Sequence, residues 1–161
     1  MRLSRRVFAS SLVCFAIPAL AQTSSDTPAK PVIASMTLEG FQQRVQALGF
    51  SAERGTTEGK PDEYFSFRAQ GRKVGGRVTN PQLLQLFVYY TDGATLETVN
   101  EWNNSHFGCS AFVDKDSNAV LESDLVLTGG VTQENLDSFI TNFRDEAEDY
   151  ARFILDHKKK A

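Results

Sequence analysis

The chain has 161 residues, enough for one domain with a sizeable core. Its 17 basic and 20 acidic residues give a net charge of −3, which argues against nucleic acid or an anionic membrane surface as the main partner. Of the two cysteines, Cys14 falls in an N-terminal apolar run. Cleavage after that run would leave Cys109 alone, with no intramolecular disulfide, so the fold must rest on its core.

Arg2, Arg5 and Arg6 begin the chain, Val7 to Leu20 carries no charge, and Ala19-Leu20-Ala21 places small residues where a signal peptidase reads them. The run is shorter than the ~20 residues that a spanning helix needs. Residues 1–21 are therefore expected to be a signal peptide cut before Gln22, which makes the protein periplasmic or secreted with no membrane span after cleavage. Ser4-Arg5-Arg6-Val7-Phe8 resembles the core of a twin-arginine export motif, although Ala9-Ser10 replaces the Leu-Lys often found next. An ordinary secretory signal with two adjacent arginines is the rival reading. Cys14 follows Leu12-Val13 rather than a small residue, which argues against lipidation. The remaining 140 residues hold 14 basic and 20 acidic side chains, a net charge of −6.

Residues 22–36 read as a flexible leader, because Gln22 to Ser35 is rich in Ser, Thr, Pro and Ala and carries Pro28 and Pro31. A folded domain is expected over residues 37–158. Thr37 is a good N-cap for a first helix bearing Leu38, Phe41, Val45 and Leu48, which Gly49 ends. Strands are predicted over residues 50–54, 64–70 and 73–79, the second with Phe65 and Phe67 on one face and Ser66 and Arg68 on the other. Gly75-Gly76 lacks the Lys-Ser/Thr of a phosphate loop and reads as a bend in the third. Leu83 to Tyr90 is almost wholly apolar and predicts a central strand buried on both faces. Asp92-Gly93 stops it. A second helix over residues 95–105 should bury Leu96, Val99 and Trp102. Residues 109–113 and 119–127 predict a hairpin, Gly129-Gly130 closes the sheet, and a long amphipathic helix runs from Thr132 to about Lys158. The fold class is α+β, a single antiparallel sheet covered by helices in the order α-β-β-β(-β)-α-β-β-α.

Few residues carry a chemical signature. Asp114, Asp116 and Asn118 open like a calcium loop, but Ala119 and Leu125 stand where it needs Gly and Glu, so a hairpin turn is the better reading. His106 and Cys109 are close enough to share a metal or to act as base and nucleophile, yet nothing nearby supplies further ligands or an orienting group. Cys109 could be a reactive thiol, a dimer bridge or a buried small hydrophobe, the last being the commonest fate of an unpaired cysteine. Glu122 and Asp124 share one face of a strand and could serve as an acid/base pair. The plainer reading is a wet strand face, with Asp124 capping a nearby helix or turn. Trp102, at helical spacing from Val99, reads as core more than as a ligand platform.

Asn100-Glu101-Trp102-Asn103, Leu121-Glu122-Ser123-Asp124-Leu125 and Gly129-Gly130-Val131-Thr132, in this order and spacing, resemble the YbjN family of bacterial sensory-transduction regulators. The resemblance spans residues 36–154, with its specific part in 100–136. It implies a fold like that of type III secretion chaperones, regulation or protein binding, and no catalytic activity to carry over. The export signal departs from the usual family member. The expected function is an exported, non-enzymatic module that binds an unknown protein partner, regulatory or chaperone-like, with no catalytic residue, cofactor or metal. Trp102, Asn103, Glu122 and Asp124 are its candidate contact residues. A homodimer is expected by analogy with chaperones of this fold. The alternative is a small-ligand binder or sensor with a pocket between sheet and helices, near Trp102 and Asp124. A hydrolase using Glu122 and Asp124 ranks behind both.

Overall fold

Strand alternation and helix periodicity meet in a six-stranded antiparallel sheet with three helices on one of its faces. The computed structural model describes residues 30–57, 60–91 and 94–159. The predicted signal peptide, most of the leader and the Asp92-Gly93 break lie outside the described residues. The elements are β1 (Val32–Ile33), α1 (Leu38–Ala47), β2 (Ala52–Thr57), β3 (Lys60–Ala69), β4 (Arg72–Asn80), β5 (Leu83–Tyr90), α2 (Leu96–Ser105), β6 (Ser110–Val113), β7 (Ala119–Val126), β8 (Val131–Thr132) and α3 (Gln133–Lys158). The strands of the main sheet run in the order β2-β3-β4-β5-β7-β6, every neighbouring pair antiparallel.

Each helix begins at a threonine whose hydroxyl accepts a backbone N–H three residues on: Thr37 from Gly40, Thr95 from Thr98 and Thr132 from Asn135. These caps satisfy donors that the first turn leaves open. The long stripe of α3 is buried as its spacing predicts, with Leu136, Ile140, Phe143, Ala147, Tyr150, Ala151 and Ile154 all in the core. Phe65 and Phe67 of β3, Val74 of β4, Leu84, Leu86 and Val88 of β5 and Leu121 of β7 belong to the same core. Phe41 of α1 meets Phe65 edge-on at 5.1 Å between ring centres. Arg44 of α1 and Asp137 of α3 form a two-pronged, partly buried ion pair that fixes the two helices to each other.

The structure corrects four expectations. Val32–Ile33, inside the stretch read as leader, pairs antiparallel with Val131–Thr132 as β1 and β8. The Gly129-Gly130 turn, both residues at positive φ, therefore opens onto a separate two-stranded ribbon. Leu96 is 69% exposed, because α2 buries the face that carries Thr98, Val99 and Trp102 and Leu96 lies off that face. The strand β5 is central, as predicted, but among the described residues helices cover only one of its faces: Leu84, Leu86 and Val88 are buried, whereas Tyr89 is 53% exposed.

Candidate functional site

Because side chains alternate along a strand, covering one face with helices leaves the other open. Register sorts the open face into rows that cross the sheet. Arg68, Lys73, Tyr89, Val120 and Phe112 form one row. Ser66, Gly75, Phe87, Glu122 and Ser110 form the next. Tyr64, Arg77, Gln85 and Asp124 form the third.

The middle of this face is aromatic. The Phe87 ring lies 6.2 Å from that of Tyr64 and 5.6 Å from that of Tyr89, and the Arg77 guanidinium sits 5.4 Å from the Phe87 ring centre. Phe87 can lie down on the sheet because its neighbour across the strand is Gly75, where a Cβ would sit 2.3 Å from the ring. Gly75-Gly76 is thus a continuous piece of β4 rather than a bend: Gly75 makes room for Phe87 on the open face and Gly76 for Phe65 on the covered one.

A polar chain runs along the third row. Arg77 Nε donates to Gln85 Oε1 at 2.5 Å, and Gln85 Nε2 donates to Asp124 Oδ1 at 2.8 Å. Gln85 is 6% exposed, and both ends of its amide are satisfied within the row. Partial burial, then the nearby Asp124 carboxylate, raise the pKa of Glu122, while Arg77 opposes them. Two adjoining hollows lie on the basic side. One, of about 320 Å³, is lined by Tyr64, Ser66, Lys73, Gly75, Arg77, Phe87 and Tyr89 together with Glu63. The other, of about 300 Å³, is lined by Ser51, Glu53, Ser66, Phe67, Arg68 and Lys73.

The residues named from sequence are divided between the two sides. Trp102 is fully buried under the helices, its ring stacked on His106 at 3.5 Å and set edge-on to Tyr150 at 4.9 Å and Phe153 at 5.4 Å. The Asn103 amide clamps the end of α2 to β6, donating to the Ala111 carbonyl and accepting from the Ala111 N–H, each at 2.8 Å. Glu122 and Asp124 belong to the open face. Asp124 accepts from Gln85 across the strand pair, where a helix or turn cap was expected. The hollow of about 330 Å³ between α3 and β7 is bordered by Asp124, Ser123, Phe139 and Glu146, and Trp102 is not part of its lining. A pocket uniting Trp102 with Asp124 is therefore not formed. Sequence reading missed Tyr64, Arg77, Gln85, Phe87 and Tyr89. The signal available was the lone Gln85 in an apolar strand, which marks the face on which a polar partner waits.

The remaining candidates are committed locally. The Asp114 carboxylate accepts from the backbone N–H groups of Asp116 and Asn118 and from the Asn118 amide, making a turn in which Ser117 takes a positive φ. These bonds, the Asn118 side chain first, hold the pKa of Asp114 below the usual range. The His106 ring stacks on Trp102 with Nδ1 against Ser105, and the Cys109 thiol engages Ser123. No group of three or more metal-ligating side chains occurs among the described residues, and no helix among them is long and apolar enough to cross a membrane.

Burial, reinforced by the Glu146 carboxylate, pushes the Cys109 thiol up to about 12, which favours the neutral thiol over the nucleophilic thiolate at ordinary pH. Alkylation at pH 8, followed at the Cys109 peptide by mass spectrometry, is expected to be roughly a hundredfold or more slower in the native protein than in urea. Because the folded pKa is raised, the stability from keeping this thiol neutral is full below about pH 8.5 and is lost as pH climbs towards 12. Comparable native and denatured labelling rates would show a reactive cysteine instead.

The model of the YbjN family, described as "Putative bacterial sensory transduction regulator", matches residues 37–156. The chain belongs to the YbjN family. Among solved structures, E. coli YbjN, titled a "putative transcription regulator", is similar at a TM-score of 0.59 with 15% identity, over 81% of this chain and 96% of that one. A Methanothermobacter thermautotrophicus protein titled as uncharacterized matches at 0.51 with 10% identity, over 76% and 99%. The Yersinia pestis type III secretion chaperone SycH, solved in complex with a fragment of YscM2, has a TM-score of 0.47 and 20% identity, over 73% and 98%. At these identities the likeness is one of fold. No curated protein matches the chain. The YbjN match covers α1, α2, α3 but for its last two residues, and the whole six-stranded sheet, so the open face belongs to the family domain itself.

Proposed function

We propose that this YbjN-family protein is a non-enzymatic protein-binding module, regulatory or chaperone-like, which is exported through the signal-like residues 1–21 and docks its partner on the open face of the sheet. The observation that carries this reading is the uncovered aromatic centre of a central strand. Phe87 and Tyr89 lie beside Tyr64 on the face of the sheet away from the three described helices, and Arg77 and Lys73 flank them. Aromatic residues bordered by arginine are the usual composition of an interface centre. The polar groups of this face serve recognition in the reading: Asp124 is held by Gln85 and Glu122 is partly desolvated beside it, so both take fixed places in a contact surface.

The test is a crosslinked pull-down with the tagged protein from its native compartment, set beside a Phe87→Ser/Tyr89→Ser variant of unchanged circular dichroism. A protein recovered near stoichiometry with the wild type is expected to fall at least tenfold with the variant. Equal recovery by both would move the docking site off this face. Recovery of the tagged wild type only from the cytoplasm, with residues 1–21 intact, would overturn export.

A further inference from the structure

We propose that the partner of the open sheet face is a second copy of this chain, laid face to face about a two-fold axis running along β5. The inference rests on the reading that this face docks protein, and names the occupant.

The first argument is charge. The protein is acidic, yet the paired positions of this face balance three basic side chains, Arg68, Lys73 and Arg77, against three acidic ones, Glu53, Glu122 and Asp124. On the two strands that flank β5 the signs are segregated: Lys73 and Arg77 stand on β4, on one side, and Glu122 and Asp124 on β7, on the other, while Glu53 lies on β2 at the outer edge of the basic side. A face divided in this way across its central strand is complementary to itself.

The second argument is register. Rotation about an in-plane axis along β5 keeps each row at its own height and exchanges left for right, so β4 of one copy covers β7 of the other. Arg77 then faces Asp124 of its mate, because both belong to the row that passes through Gln85. The Arg77–Gln85–Asp124 chain of one copy lies over the same chain reversed, and the charges alternate around a closed ring. Phe87 and Tyr89 meet their own counterparts near the axis, and Arg68 comes over Phe112, which lies in the same row. Packed sheets cross at roughly 30°, which moves strands next to the axis by only about 2–3 Å, within the reach of an arginine.

The third argument is area. Six strands about 4.8 Å apart and about eight residues long present roughly 650 Å² per copy, or about 1,300 Å² in all, within the range of stable interfaces.

Light scattering on the purified protein is expected to give twice the chain mass. Arg77→Asp and Asp124→Arg, each expressed alone, place like charges opposite each other and are expected to give monomers. Mixed in equal amounts, they restore opposite charges at both contacts, and a dimer holding one copy of each is expected, detectable by a tag on one of them. Rescue by mixing needs both proteins folded, so it separates a broken interface from a broken fold. A monomeric wild type overturns the proposal, as do single variants that stay dimeric or a mixture of folded variants that stays monomeric. If the wild type is monomeric and the pull-down recovers a foreign protein lost with Phe87→Ser/Tyr89→Ser, self-pairing fails while the docking face stands. If neither the oligomeric state nor the pull-down responds to this face, both readings fall.

Discussion

Trp102→Ala is expected to destabilise the domain by about 3–5 kcal/mol, the usual cost of emptying a large aromatic site in a core that cannot fully collapse. The indole is completely enclosed, pressed flat on His106 and edge-on to Tyr150 and Phe153, so its removal opens the seam between α2 and α3. The melting temperature should fall by about 10 °C or more, read by thermal unfolding in circular dichroism. Trp102→Phe keeps much of the ring contact and should cost only about 1–2 kcal/mol. The indole N–H has no hydrogen-bond partner among the described residues, so no bond is lost with it. An alanine variant as stable as the wild type would mean that this tryptophan is available to a ligand rather than to the core.

The adjacent glycines of β4 should answer differently to the same substitution. At Gly76 a methyl group would sit 2.3 Å from the ring of Phe65, itself wholly buried and locked edge-on against Phe41. That ring has nowhere to go, and Gly76→Ala is expected to cost about 2–3 kcal/mol as an overpacked core. At Gly75 the methyl group meets Phe87 at the same distance, but this ring is only partly buried and can swing off the sheet. Gly75→Ala should therefore cost less than about 1 kcal/mol of stability while disturbing the aromatic row on the open face. Denaturant titration of the two variants tests the contrast, and equal losses would show that the open face is packed as tightly as the core.

Periodicity placed the elements because local spacing alone reports it. The Thr37 cap, the helix starts at Thr95 and Thr132, the stripe of α3 and the Asp114 turn are all decided within a few residues, and each appears where the sequence indicates. The family likewise was legible in three short segments, and the match over residues 37–156 bears it out. The residues at the centre of the candidate site were not legible. An apolar strand such as Leu83–Tyr90 reads the same whether one face or two are covered, since a side chain's hydrophobicity does not say what lies above it. That β4 and β7 flank β5, so that Arg77, Gln85 and Asp124 fall into one row, depends on strand order, set by contacts between residues such as Gln85 and Asp124, 39 positions apart. The sequence by itself determined the three helices and the strands of the main sheet, the family and the chemistry available. Only the tertiary structure decided which face stays open, that Trp102 and Asp124 belong to different surroundings, and that Gly75-Gly76 is straight, because these depend on which strands become neighbours and on which side three helices come to rest.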